Sequence, residues 1–144
     1  MVWPWSRKTK DERREINAGG GQFGLEVVGE SQYQPALLRA AKQARRQAER
    51  RVIRVRVERE PTNPYDPQAV RVVSSYGETI GYLSRESAGS YQKALTEFEK
   101  AGLMVTCAAS LYGGDAERPT LGLYLDLLFP KKLRAAIPPP RAPK

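Results

Sequence analysis

The chain has 144 residues, 40% of them apolar, and carries a net charge of +8. That length accommodates one domain of ordinary size plus tails and excludes a second, catalytic domain, while the charge favours an anionic partner, most commonly nucleic acid for a small basic domain. Cys107 is the only cysteine and histidine is absent, which rules out an internal disulfide and leaves no zinc or haem ligand set, so no cofactor or metal is expected and a reducing cytoplasm fits best.

No apolar run reaches the ~18 residues of a membrane span, and the N-terminus lacks the apolar core of a signal peptide. Residues 1–21 are polar and charged and close on Gly19-Gly20-Gly21, which predicts a flexible basic arm without a core. Trp3 and Trp5, followed by Arg7, Lys8, Lys10, Arg13 and Arg14, suit either a membrane surface or sequence-blind phosphate contacts; the second is the expectation. Residues 22–129 are the expected folded domain, and 130–144, with Pro138-Pro139-Pro140, an extended and disordered tail.

Within the domain, Phe23 to Val28 reads as a strand, and the next segment as a turn into a helix with Pro35 in its first turn. Leu37, Ala41, Ala44 and Ala48 recur at helical spacing, so the helix is predicted to run to Glu49 with Arg39, Lys42, Arg45 and Arg46 on a cationic outer face. Ile53, Val55 and Val57 alternate with Arg54, Arg56 and Glu58, the pattern of a strand wet on one side. Ala69 to Ser74 and Thr79 to Leu83 form a further hairpin through Ser75-Tyr76-Gly77. Ser84 is placed to cap a helix whose apolar stripe is Ala88, Tyr91, Leu95 and Phe98 and which Gly102 stops. Met104 to Leu111 and Leu121 to Leu128 complete the strands.

The densest chemical signal is Glu60-Pro61-Thr62-Asn63-Pro64-Tyr65-Asp66-Pro67, between two of these strands. Three prolines fix φ and bias the residues before them toward extended geometry, so an aromatic and a carboxylate stand on a stiff turn. Ordinary turn chemistry explains Asn-Pro and Asp-Pro equally well. Glu58, Glu60 and Asp66 also raise the alternative of a magnesium-dependent nuclease, against which stand the absent histidine base and the parity of the two glutamates.

Four blocks carry a resemblance: Val28-Gly29-Glu30-Ser31-Gln32-Tyr33-Gln34, then Glu60 to Asp66, then Ala69-Val70-Arg71-Val72, then Ile80-Gly81-Tyr82-Leu83-Ser84-Arg85-Glu86. In this order they resemble the HIRAN domain, found at the front of certain fork-remodelling helicases and as free-standing bacterial proteins. The resemblance implies an α+β, mainly β fold: a modified OB-like barrel of about six strands with two helices. It further implies a non-catalytic module that captures single-stranded DNA at free 3′-hydroxyl ends, in DNA repair or replication, with a helicase or nuclease partner to receive the end. Matching positions place Asn63, Tyr65 and Asp66 at the end pocket, Tyr82 and Arg85 beside it, and Tyr112 near the last loop. Tyr82 reads equally as core, Arg85 as a solvated helix-start cation, and Tyr112 as packing under a glycine loop. The helicase-borne members carry a basic residue and an aromatic where this chain has Ser31 and Gln32. That puts one phosphate contact and one stacking surface in doubt, with Tyr33 the candidate replacement. A general DNA or RNA binder without end specificity, and a protein-interaction adaptor, remain alternatives.

Overall fold

Two long strands organise the molecule, and everything else closes around them. The computed structural model describes residues 13–139. In chain order the elements are β1 (Arg14–Asn17), β2 (Leu25–Val28), a 3-10 turn (Glu30–Gln32), α1 (Gln34–Ala41), β3 (Arg45–Gln47), β4 (Arg50–Arg59), β5 (Val70–Ser74), β6 (Thr79–Leu83), α2 (Arg85–Lys100), β7 (Leu103–Gly113), β8 (Leu121–Leu125) and α3 (Pro130–Ala135). Strands β7, β8, β2, β6, β5 and β4 pair in that order, and β4 pairs again with β7, closing a six-stranded antiparallel barrel. The fold is therefore mainly β with helices outside the barrel, as the resemblance implies.

Alternation fills the interior. Ile53, Val55 and Val57 of β4, Leu103, Val105, Cys107, Ala109 and Leu111 of β7, and Leu123 and Leu125 of β8 are all buried, as period-2 patterning requires. Helix α2 begins at Ser84, whose Oγ accepts from the Ser87 N–H at 3.2 Å, and it lays Ala88, Tyr91, Leu95 and Phe98 into the same core. Gly102 adopts φ +72° just past its end, a conformation that glycine takes without a Cβ clash. Burial pushes the Cys107 thiol up to about 12, so this side chain is core rather than nucleophile.

The predicted cationic helix ends early. Helix α1 stops at Ala41, and Arg45–Gln47 instead pairs antiparallel with Arg50–Val52 through a turn in which Ala48 has φ +55°. The cause is tertiary. On one side β4 is paired by β5 only over Val55–Arg59, so the N–H and C=O groups of Arg50 to Val52 lack partners there, and β3 supplies them. Helical propensity in an Ala/Arg/Gln run is too weak to prevail against that.

The predicted core-free arm differs from the structure for the same kind of reason. Strand β8 pairs β7 only over Ala109–Gly113, and β1 lies parallel against the free stretch Leu103–Thr106. Ile16 packs on the core and Ala18 is buried within it. The glycines that follow form a loop bonded to Asp126 rather than a hinge. The N–H groups of Gly20, Gly21 and Gln22 all donate to Asp126 Oδ1, at 3.0, 2.7 and 2.8 Å, while Leu128 N–H donates to the Ala18 carbonyl at 3.0 Å.

The C-terminal segment is likewise part of the fold as far as it is described. Pro130 opens α3, Leu133 is fully buried, and Arg134 Nε donates to Glu97 Oε2 on α2 at 2.8 Å. The expected disorder of residues 130–144 thus fails for Pro130–Ala135. Residues 140–144 and the tryptophan-bearing residues 1–12, on which the remaining tail expectations fall, lie outside the described residues.

Candidate nucleic-acid interface

The loop between β4 and β5 is held from within by two side chains. Asn63 Oδ1 accepts from the N–H groups of Tyr65 and Asp66, at 2.8 and 3.1 Å, and its Nδ2 donates to Glu60 Oε1 at 3.0 Å. Asn63 N–H donates to the Glu60 carbonyl at 3.0 Å, and Glu60 N–H to the Ala69 carbonyl at 2.9 Å. A short polar side chain on the residue before a proline is suited to this local bonding. The consequence is directional: with the backbone of 63–66 fixed inward, the Tyr65 ring has nowhere to go but out, and it is 91% exposed.

Glu60 is the hub that sequence reasoning weighed only as a metal ligand. Besides Asn63, its Oε1 accepts from the Tyr82 hydroxyl at 2.9 Å, and its Oε2 lies 3.8 Å from Arg71 Nε. Arg71 in turn donates to Glu58 Oε1 from Nε and Nη2, at 2.9 and 2.7 Å. Both glutamates are thus committed to arginine and tyrosine. The sequence signal for this was strand register: Glu58 faces Arg71 directly, and Arg71 faces Tyr82, so one outer row crosses three strands.

Tyr82 is half-buried on that row. Burial chiefly, then the bond to Glu60 and that carboxylate's charge, raise its phenol well above the ordinary tyrosine value, so it is a neutral donor at any physiological pH. Gly81 beside it has no alternative, because a Cβ there would run into the Val27 side chain. Tyr33, just past the 3-10 turn that holds exposed Ser31 and Gln32, places its ring 6.1 Å from that of Tyr82 at 47°. An aromatic pair therefore stands beside the loop.

Asp66 is less occupied. Its Oδ1 accepts from Gln68 N–H at 3.0 Å, and its Oδ2 lies 3.8 Å from Arg85 Nε, with side chains 29% and 87% exposed. That separation is an ion pair without a hydrogen bond, in solvent. Arg85 is the first residue of α2, where the free N–H groups of the helix start add positive potential. Arg59, Glu60, Asn63, Tyr65, Arg71 and Tyr82 share the walls of an open cavity of about 520 Å³.

Tyr112 stands in a different group. Near the end of β7 its ring lies 5.0 Å from that of Tyr124, and the Arg118 guanidinium sits 4.4 Å over it. Gly122 leaves room for the ring, since a Cβ there would collide with it. The structure thus brings together Tyr33, Asn63, Tyr65, Asp66, Tyr82 and Arg85, and sets Tyr112 with Tyr124 and Arg118, two residues the sequence analysis passed over.

A closed six-stranded barrel thus carries an exposed aromatic and a carboxylate on one loop, with arginines around them. The chain belongs to the HIRAN domain family, whose pattern it matches over residues 21–116. Among solved structures it is similar to the HIRAN domain of human HLTF, with 23% identity and a TM-score of 0.37, over 84% of this chain and 88% of that one. No curated protein matches. Family membership supports a DNA-binding module.

Proposed function

We propose that this chain is a non-catalytic module that captures single-stranded DNA at a 3′-hydroxyl end, serving DNA repair or replication. The observation that carries it is the geometry of Tyr65 and Asp66: a ring held outward in solvent next to a carboxylate that retains an oxygen with no hydrogen bond of its own. A terminal sugar hydroxyl can donate to that oxygen, whereas a phosphate brought there meets like charge. A hydrogen bond to a charged group contributes about 1.5–3 kcal/mol, enough for ten-fold discrimination or more. The exposed ring offers the last base a stacking face worth about 1–3 kcal/mol, without regard to sequence. Arg85, less than 4 Å from Asp66, then meets the phosphate one step inward. Tyr33 and Tyr82 supply the aromatic surface that Ser31 and Gln32 do not. Asn63 acts by positioning Tyr65 and Asp66. Glu58 and Glu60, already bonded to arginine and tyrosine, support the loop.

Fluorescence anisotropy with short labelled strands ending in a 3′ hydroxyl or a 3′ phosphate tests this. The unaltered protein should prefer the hydroxyl by ten-fold or more, and Asp66→Asn, which keeps an acceptor for Gln68 N–H, should lose most of that preference. Equal affinity of the unaltered protein for both ends would overturn end capture and leave a general single-strand binder.

A further inference from the structure

The proline-loop cavity is not isolated. A second open cavity of about 850 Å³ runs over the outer face of β4, and the two share Arg59, Pro61 and Arg71 as walls. Strand parity sends Arg54 and Arg56 outward along it, about 7 Å apart. Across the hairpin, Arg45 pairs with Val52 and so lies on the same outward face. From Glu58 to Val52 this face spans about 20 Å.

The arginines on it are incompletely used. Arg54 donates to the Thr106 hydroxyl at 3.0 Å. Arg56 Nε is buried without a hydrogen-bond partner, 3.7 Å from Glu58 Oε2, and its Nη1 reaches only the Met104 sulfur, at 3.7 Å. Arg45 is exposed, with no ion pair or side-chain hydrogen bond among the described residues. Three guanidiniums in line, two of them exposed and that of Arg56 on a side chain 27% exposed, suit an anionic chain.

Taking single-stranded DNA as the ligand proposed above, we propose that Arg56, Arg54 and Arg45 form a phosphate track along the outer face of β4, which carries the strand away from the captured end toward the β3–β4 hairpin. The path leaves the loop past Arg71, whose ion pair with Glu58 keeps the junction close to neutral and so leaves the terminal nucleotide to the loop itself. Its partners are phosphates, so it reads no sequence. It also gives the Arg45 side chain, which the sequence analysis placed on a helix, a role on a sheet.

The test separates the track from the loop by strand length. Barrels of this type cover about 4–16 nucleotides. Anisotropy is measured with the full chain on oligothymidylates of ~4 and ~16 nucleotides ending in a 3′ hydroxyl, across a salt series. The unaltered protein should bind the longer strand more tightly. Arg45→Gln/Arg54→Gln, both at exposed positions and thus compatible with folding, should weaken the longer strand by ten-fold or more and lower its salt slope by about 1 to 1.5, since each single-strand phosphate contact contributes about 0.7. The shorter strand, and the preference for hydroxyl over phosphate ends, should not move. Arg56→Gln, checked by thermal melting for folding, should act in the same direction. Unchanged length and salt dependence in the double variant would overturn the track, as would tighter binding of a duplex of equal length that the same substitutions abolish. Because Asp66→Asn reports on end preference and these variants on length, each can fail alone.

Discussion

Replacing Asn63 with alanine removes three hydrogen bonds at once and tests whether the outward pose of Tyr65 depends on them. Two are accepted from the N–H groups of Tyr65 and Asp66 and one is donated to Glu60. Neutral bonds contribute about 0.5–1.5 kcal/mol each and the one to the carboxylate about 1.5–3, but the site is half-exposed and water replaces part of each. A local loss of about 2 kcal/mol follows, confined to the loop because the neighbouring strands keep their ladders. The melting temperature should therefore fall by only a few degrees. DNA affinity should fall ten-fold or more, since each 1.4 kcal/mol is a factor of ten. Asn63→Asp sharpens the comparison: it keeps both acceptor bonds yet sets a second carboxylate against Glu60, and should bind more tightly than Asn63→Ala despite its added negative charge. The assay is anisotropy with a short 3′-hydroxyl strand, paired with amide hydrogen exchange at Tyr65 and Asp66. Unaltered exchange and unaltered affinity in Asn63→Ala would refute the positioning role.

Asp126→Ala should cost about 3 kcal/mol or more, because three backbone N–H groups lose a charged, nearly buried acceptor; thermal melting and faster tryptic cleavage at Arg14 would register it. Leu133→Ala should cost about 2–5 kcal/mol, as for any fully buried leucine, and a melt unchanged by this substitution would remove α3 from the core. Stability should also fall in alkali. The Tyr82 phenol is raised in the fold, and that of Tyr91 is pushed up to about 12, chiefly by burial, so the folded state holds protons that the unfolded chain releases from about pH 10. Their contribution is fully present below that pH and is lost as it rises toward the folded values, and Tyr82→Phe should flatten the decline in melts from pH 8 to 11.

Much of the barrel was legible because β4 alternates and the other strands are short apolar runs bounded by turn residues. Ile53, Val55 and Val57 against Arg54, Arg56 and Glu58 announce one buried and one wet face on their own, and Ser84 and Gly102 mark the limits of α2 without reference to any neighbour. The proline loop was found for the same reason, since fixed φ values and Asx bonding act within a few residues. The partnership of Glu60 with Tyr82 was not, because it joins residues 22 apart in sequence that meet only when β6 pairs with β5.

What the sequence determined by itself, then, is everything set by local sterics and by the period of burial: the six barrel strands, α2, and a stiff corner bearing Tyr65 and Asp66. Only the tertiary structure decided the fate of Arg14–Asn17, Arg45–Gln47 and Pro130–Ala135. Their own patterns are short or ambiguous, and they take their form because β4 and β7 extend beyond their shorter neighbours β5 and β8 and leave backbone donors and acceptors that another segment must satisfy, or because α2 leaves a place for Leu133. Unpaired hydrogen-bonding groups and unfilled apolar space are properties of an assembled barrel, and no window of residues carries them.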